Sequence, residues 1–197
     1  MSKKELDADV FVAGALDAFD KAMQDMGIKV PQAGRPVVEE WLEFFAGWKG
    51  RRVAGFEDPC ELAVKLLADS FAVALVDGIC SGGKAVDLGS GNGWPGLALS
   101  ALGHCGHVSL LDSREGACEF LRGFLRSSQM SRVDVLQVRA EEAGQDPECR
   151  ETYSLAVSRA MAMPGIALEL CSGLVAVGGK AVLWTGPEQH VPQSGPG

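Results

Sequence analysis

The sequence predicts a doubly wound α/β fold that follows an all-helical N-terminal segment. The chain has 197 residues, the length of one ordinary domain with a helical addition. From Lys84 onward, short β-prone runs alternate with stretches of helical periodicity, and a glycine-rich turn follows the first run. Strands that alternate with helices form βαβ units, which imply a parallel sheet. We expect a helical segment over 1–78 and an α/β domain over 79–190, divided at Ser81-Gly82-Gly83.

Three amphipathic helices are predicted in the first segment. Apolar residues recur at helical separations over 6–26. A second helix begins at Pro36, which suits a first helical position, and ends near Gly50. The third opens with Asp58-Pro59-Cys60-Glu61, in which an N-cap acceptor, a first-turn proline and a glutamate form a capping box. It is expected to run toward Phe71.

Five short β-prone runs and three helical stretches make up the second part of the chain. Their lengths and alternation are typical of strands joined by crossover helices. The end of the chain is polar and rich in proline and glycine, so we expect a disordered tail over 191–197. The expected strands cover 85–88, 108–112, 133–138, 154–158 and 180–184, and the expected helices cover 95–103, 115–128 and 164–174.

Composition and patterning exclude several classes of protein. Hydrophobic residues at 47% and charged residues at 22% are typical of a globular chain and exclude a disordered or collagen-like one. Apolar runs are far shorter than the roughly 18 residues that span a bilayer, and no secretory signal is present, so we expect a cytoplasmic protein with no membrane contact. The six cysteines lack closely spaced pairs and the three histidines form no HExxH pattern, so no metal site is expected.

Charge bears on the kind of partner. The net charge is −8, so the overall field repels nucleic acid and an RNA contact requires a local group of basic residues. Five arginines between 114 and 139 are the main candidate for contacting phosphates, and a smaller basic group precedes the third helix. Acidic residues lie among them, so the alternative is a solvated surface of ion pairs. The two groups are Arg114, Arg122, Arg126, Arg132 and Arg139, and Lys49, Arg51 and Arg52.

A glycine-rich loop follows the first predicted strand. Residues 87–96 have the sequence DLGSGNGWPG and lead into a helix. Glycines let a backbone turn tightly against a ligand, and a helix N-terminus offers free N–H groups. Asp112 ends the next predicted strand 23 residues after Gly89, which is the place of an acid that accepts ribose hydroxyls. The combination predicts a nucleotide site, although a turn that only packs a helix on the sheet is the structural alternative.

The charge of the loop distinguishes between nucleotides. Asp87 lies at the base of the loop, where a carboxylate would repel the pyrophosphate of NAD. S-adenosylmethionine carries a sulfonium and an ammonium and no phosphate. The sequence therefore favours S-adenosylmethionine as the cofactor.

Four segments together resemble one bacterial family. They are AVDLGSGNGWPGLALS at 85–100, SLLDSREGACEFLR at 109–122, AEEAG at 140–144 and AVSRAMA at 156–162. In order and spacing they are similar to the glucose-inhibited division protein B (GidB/RsmG) family of 16S rRNA guanine-N7 methyltransferases, over about 41–186. The resemblance implies a Rossmann-like, class I S-adenosylmethionine-dependent methyltransferase fold. It also implies methyl transfer to N7 of a guanosine in the 16S rRNA of the small ribosomal subunit.

The resemblance also assigns residues. The loop from Asp87 to Gly93 would hold the methionine half of the cofactor, the acid of LLDS and the serine after it would meet the ribose, and AEEAG would border the adenine. The arginine of SRA would lie beside the transferred methyl group. The cofactor residues so implied are Asp87, Gly89, Ser90, Gly91, Gly93, Asp112, Ser113, Ala140 and Glu141; the catalytic residue is Arg159; and the expected substrate contacts are Arg114, Arg139 and Arg159.

Some of these residues have structural alternatives. Asp112 would be well placed to cap the following helix. Arg159 could instead pair with Glu141 or Asp87. Trp94 is expected to pack against the first helix, although an aromatic residue in a ligand loop can also stack on a base.

Several positions depart from the family pattern. Gly55 ends a stretch where members tend to have Asn-Leu-Thr, Leu66 replaces a histidine, and Thr185 replaces a lysine before glycine. Relatives usually add a hairpin after the fifth strand. Two alternatives follow: a methyltransferase with another acceptor, or a non-catalytic S-adenosylmethionine-binding or ribosome-associated protein. The sequence does not determine the oligomeric state, and a monomer is the default expectation.

Overall fold

The computed structural model describes residues 7–79, 82–128 and 130–186. The expected tail and the boundary residue Ser81 lie outside the described residues. Two of the predicted helices form as α1 (Ala8–Met26) and α2 (Arg35–Gly47). Helix α1 ends at Gly27, whose φ of 67° is left-handed, so a glycine suits this position.

The third helix is composite. It consists of α3 (Pro59–Leu62), a π-helical stretch (Ala63–Ala68), α4 (Asp69–Phe71) and a 3-10 turn (Ala72–Leu75). The residues at the junctions keep right-handed helical backbone, so these parts form one continuous helix, which we call the composite helix. The predicted cap is present, because the Asp58 carboxylate accepts a 2.7 Å hydrogen bond from the Glu61 amide.

All five predicted strands form one parallel sheet. The order is β3-β2-β1-β4-β5, and each neighbouring pair is parallel. This is the order of a doubly wound sheet, so the predicted fold class is confirmed. The strands are β1 (Lys84–Leu88), β2 (His107–Leu111), β3 (Val133–Leu136), β4 (Tyr153–Arg159) and β5 (Val175–Trp184).

Helices cover both faces of the sheet. Apolar residues of α5 (Gly96–Leu102) and α6 (Glu115–Ser127) share one core cluster with the helical segment. Residues of α7 (Ala140–Ala143) and α8 (Pro164–Leu174) belong to a smaller cluster on the opposite face. Three of these helices were predicted, whereas the short α7 was not.

An aromatic cluster joins the helical segment to the α/β domain. Trp41 on α2 is fully buried and packs edge-to-face against Trp94 and Phe120, at ring-centroid distances of 5.7 and 6.1 Å. Its Nε1 donates a 2.9 Å hydrogen bond to the carbonyl of Asn92, inside the glycine loop. The helical segment therefore packs directly against the loop. Within the described residues, no helix is long and apolar enough to cross a membrane.

Replacing Trp41 with phenylalanine tests this junction. The change removes the indole donor, leaves the buried Asn92 carbonyl without that partner and opens a small void. We expect a loss of about 2–3 kcal/mol in the free energy of unfolding, measured by urea denaturation. Trp48→Phe is the matched control, since Trp48 is only half-buried and its Nε1 bonds an exposed carbonyl, that of Arg51. Equal losses in the two variants would contradict a special role for Trp41.

Candidate functional site

A cavity of about 800 Å³ lies at the carboxyl edge of the sheet. It is formed by the segments that follow β1, β2, β3 and β4, together with part of the helical segment. In open α/β sheets ligands bind at this edge, and the volume lies in the range of small-molecule sites. The lining residues are 53–56, 65–66, 89–92, 94, 111–114, 138–141, 159–162, 166 and 170.

The glycine loop after β1 forms one wall of the cavity. Gly89 and Gly91 line it and have φ values of 71° and 55°, in the left-handed region that favours glycine. The amides of Gly89 and Ser90 both donate to the carbonyl of Leu111, at 2.8 and 3.0 Å, which ties the loop to the end of β2. Ser90 also lines the cavity, and its hydroxyl donates to the Asp87 carbonyl.

Two residues of the expected loop site do not line the cavity. A Cβ on Gly93 would lie 2.6 Å from the side chain of Leu97, so the third glycine permits close packing of the loop on α5. Asp87 is fully buried beneath the loop. Its Oδ2 accepts a 2.8 Å hydrogen bond from the Gly96 amide at the start of α5, so Asp87 holds the far end of the loop.

The charge state of Asp87 is unusual. Burial raises its pKa to about 7, although the Gly96 hydrogen bond and the nearby Arg159 oppose the shift. Its Oδ1 is buried and has no hydrogen-bond partner in the structure. A carboxyl group with one unused acceptor therefore lies directly beneath the loop.

Asp112, just after β2, is 3% exposed, and both of its carboxylate oxygens accept hydrogen bonds. Its Oδ1 accepts from the amide and the Nε of Arg114, and its Oδ2 accepts from the Gly91 amide and Arg114 Nη2, all within 2.8–3.1 Å. Burial raises the pKa of Asp112, but the hydrogen bonds from Arg114 and Gly91 outweigh it and hold the pKa below its usual value. Asp112 is not the N-cap of α6, whose N-cap residue is Arg114.

Arg159, the last residue of β4, lines the cavity and is 16% exposed. Its Nη1 donates to the Leu66 carbonyl at 3.1 Å and to Ser70 Oγ at 3.0 Å, and lies 3.5 Å from Asp69 Oδ2. Its Nη2 donates to the Trp94 carbonyl at 3.2 Å. The ion-pair partner of Arg159 is thus Asp69 on the composite helix. The sequence analysis had considered Glu141 and Asp87 instead. Burial lowers the Arg159 pKa, against the opposing charges of Asp87 and Asp69.

The remaining expected site residues lie around the cavity mouth. Ser113, Ala140 and Glu141 line it. Of the five arginines considered as a phosphate footprint, Arg114 and Arg139 also line it. Both are paired, Arg114 with Asp112 and Arg139 with Glu141 at 3.6 Å, while Arg122 donates to Gln137. Ion pairing, the alternative interpretation, therefore applies to the arginines that reach the cavity.

The helical segment contributes part of the site, of which the sequence analysis had singled out only Gly55 and Leu66, as departures from the family pattern. The loop 53–56 lines the cavity, and Arg52 donates to the carbonyls of Ala54 and Gly55 in it. Leu66 also lines it, whereas Thr185 lies in a small adjoining pocket. Trp94 packs as expected, but against Trp41 and the composite helix. The only sequence signal for Arg159's partners was a polar pair, Asp-Ser, within an apolar helix.

The described residues contain no group of three or more metal-ligating side chains that could hold an ion. Their site chemistry rests on the glycine loop, two buried carboxyl groups and one anchored arginine.

Two solved structures have a fold similar to that of this chain over about three quarters of its length. A branched-chain polyamine synthase mutein from Thermus thermophilus, in complex with N4-aminopropylspermidine and 5'-methylthioadenosine, aligns with TM-score 0.52 and 18% identity, covering 75% of this chain and 41% of its own. The Escherichia coli protein yhhF, which carries a provisional methyltransferase name, aligns with TM-score 0.50 and 16% identity, covering 74% and 81%. At these identities the likeness concerns the fold alone.

Curated relatives are closer in sequence. A protein of Rubrobacter xylanophilus named ribosomal RNA small subunit methyltransferase G is 31% identical over 179 residues, which is 90% of this chain and 69% of the relative. A protein of the same name from Acetivibrio thermocellus is 30% identical over 180 residues, covering 91% and 71%. A family model, GidB, described as rRNA small subunit methyltransferase G, matches residues 38–192. Because that match covers well over half of the chain, the chain belongs to the GidB family of methyltransferases.

Proposed function

We propose that this methyltransferase binds S-adenosylmethionine in the cavity and transfers its methyl group to N7 of a guanosine in 16S rRNA. The observation that carries the cofactor assignment is the connection between loop and acid. The Gly91 amide of the left-handed loop donates to Asp112 Oδ2, so the backbone cradle is joined directly to the acid that would bind the ribose. The names of the curated relatives support the acceptor class.

The residues present fit this cofactor. Gly89, Ser90 and Gly91 line the cavity and would face the methionine half. A Cβ on Gly89 would lie 2.7 Å from the Met161 side chain, and one on Gly91 would lie 3.3 Å from Arg114 Nη2, so both positions favour glycine. Asp112 and Ser113 would hold the ribose, and Ala140 and Glu141 would border the adenine. When bound, S-adenosylmethionine supplies an electrophilic methyl group on a sulfonium. The buried Asp87 carboxyl, with its unused Oδ1, favours a cationic ligand above it over a pyrophosphate.

Arg159 would position the acceptor base. Guanine N7 has an in-plane lone pair, so attack on a methyl group requires no general base, and alignment is the main requirement. Arg159 has five N–H donors, and its Nε–H and one Nη2–H make no hydrogen bond to the described residues. Beside N7, guanine presents the O6 acceptor whereas adenine presents an amino donor. An N–H group of Arg159 could accordingly donate a hydrogen bond to guanine O6, whereas it would face another donor in adenine, so the site would favour guanine.

A second candidate is a methyltransferase with another acceptor. The residues that replace the family's polar side chains, Gly55 and Leu66, both line the cavity, and the net charge of −8 opposes a general attraction to RNA. A non-catalytic binding protein is less well supported, because the anchored Arg159 lines the same cavity as the glycine loop.

Methyl transfer from labelled S-adenosylmethionine decides the acceptor. Small ribosomal subunits that lack the modification, naked 16S rRNA and small molecules are offered in parallel, and nucleosides are analysed by mass spectrometry. We expect label in 7-methylguanosine from the ribosomal substrate. Label in another nucleoside or only in small molecules would support the second candidate, and binding without transfer would support a non-catalytic protein.

Replacing Arg114 with alanine is expected to tighten cofactor binding. The Asp112 carboxylate has about four acceptor positions, and four N–H groups occupy them. Ribose hydroxyls can therefore bond Asp112 only if the Arg114 side chain leaves it. Since that side chain is 71% exposed, its ion pair contributes at most about 1 kcal/mol, and the affinity should rise by up to about fivefold.

Calorimetric titration with S-adenosylhomocysteine measures the effect. Arg139→Ala is the control, because Arg139 also lines the cavity but pairs with Glu141 at 3.6 Å. It should leave the affinity nearly unchanged, and Asp112→Asn should lower it at least tenfold. Weaker binding by the Arg114 variant would contradict the competition.

Asp87 is expected to make stability depend on pH. Its pKa is about 7 in the folded protein and near 4 in the unfolded chain, so the folded state holds more protons between these values. The free energy of unfolding therefore decreases as pH rises from about 4 to 7, on the order of a few kcal/mol, and levels off above. Asp87→Asn should abolish that contribution, as measured by urea denaturation from pH 4.5 to 8. Parallel profiles for the two proteins would refute the raised pKa.

A further inference from the structure

Two polar residues on the composite helix contact the guanidinium of Arg159. Asp69 and Ser70 lie in an apolar stretch, and Ser70 is fully buried. They are 90 and 89 residues from Arg159 in the sequence, so only the fold brings them together. Neither residue lines the cavity, and the methyl transfer proposed above does not use them.

The Ser70 hydroxyl has a defined direction. It donates its hydrogen to the Leu66 carbonyl at 2.6 Å, which leaves its oxygen lone pairs for Arg159 Nη1 at 3.0 Å. Leu66 O also accepts from Nη1, at 3.1 Å. Leu66 belongs to the π-helical stretch Ala63–Ala68, and such stretches often occur at functional sites. Two acceptors one helical turn apart thus converge on one nitrogen.

Asp69 adds charge and a connection to the sheet. Its Oδ2 lies 3.5 Å from Arg159 Nη1, and its backbone carbonyl accepts a 3.0 Å hydrogen bond from Trp184 Nε1 at the end of β5. On the other side of the guanidinium, Nη2 donates to the Trp94 carbonyl. Arg159 is therefore held from the composite helix and from the glycine loop together.

We propose that Ser70 and Asp69 are positioning residues for methyl transfer, which fix the Arg159 guanidinium so that its unused N–H groups face the acceptor base. The proposal rests on the role of Arg159 given above. An arginine side chain has many rotamers, and a site must hold its donors closely to gain rate from alignment. Ser70 and Asp69 supply that restraint without touching substrate or cofactor.

The kinetic test compares Ser70→Ala and Asp69→Asn with the unchanged protein. We expect kcat to fall about tenfold for the first and about threefold for the second, with the S-adenosylhomocysteine affinity unchanged. In an Arg159→Lys background, which lacks the planar fork, Ser70→Ala should change kcat by less than twofold. The same factor in both backgrounds would mean that Ser70 acts on stability and not through Arg159, and would overturn the proposal.

Ser109→Ala is the matched control. Ser109 is buried on β2 and hydrogen-bonds Tyr153, away from Arg159. This variant should lose stability in urea denaturation and keep its kcat. An equal loss of kcat in Ser109→Ala would also overturn the proposal.

A readout without catalysis separates this inference from the proposed function. Arginine Nε–H resonances report side-chain order by NMR relaxation, and Arg159→Lys identifies the signal of Arg159. We expect an ordered Arg159 Nε–H in the unchanged protein and in Ser109→Ala, and a mobile one in Ser70→Ala. A mobile signal in the unchanged protein would overturn the restraint itself. An ordered signal without rRNA methylation would refute only the proposed acceptor.

Discussion

The carboxylate of Asp112 is the interaction on which the site depends. It accepts one hydrogen bond from the Gly91 amide, in the loop after β1, and three from N–H groups of Arg114. Asp112 therefore joins the glycine loop to the segment after β2, 21 residues further along the chain. A buried carboxylate requires such bonds, since leaving it unpaired would be costly. The bond from Gly91 holds the left-handed loop in one conformation. The loop is therefore shaped before any ligand arrives, which lowers the entropic cost of binding.

The two buried acids of the site have opposite electrostatic settings. Asp87 has one amide partner and a raised pKa, whereas Asp112 has four donors and a lowered one. Burial raises the pKa of both, but Asp87 is the more deeply buried and Asp112 has more hydrogen bonds and an arginine beside it, so the two shifts differ in sign. Asp87 therefore titrates near neutral pH, whereas the lowered pKa of Asp112 keeps that carboxylate ionised there. A cofactor with a cationic end and a neutral sugar fits this division.

Local signals in the sequence predicted most of the fold. Strands bounded by glycine and the capping box at Asp58 each depend on neighbours in the chain, and the spacing between Gly89 and Asp112 is that of one βαβ unit. Contacts over long separations were not predictable in this way. The Asp69–Arg159 pair, the loop 53–56 in the cavity wall and the hydrogen bond from Trp41 to Asn92 depend on how the helical segment docks. The π-helical stretch was not predictable from the sequence either, because its apolar residues are spaced as in an α-helix.

The docking of the helical segment has a consequence for the protein as a whole. Trp41 joins the helices to the glycine loop, and the loop 53–56 encloses the cavity from the helical side. One apolar core thus spans both parts of the chain. We therefore expect the two parts to unfold together in one cooperative transition, and the sheet without the helices to lose both this core and one wall of the cavity.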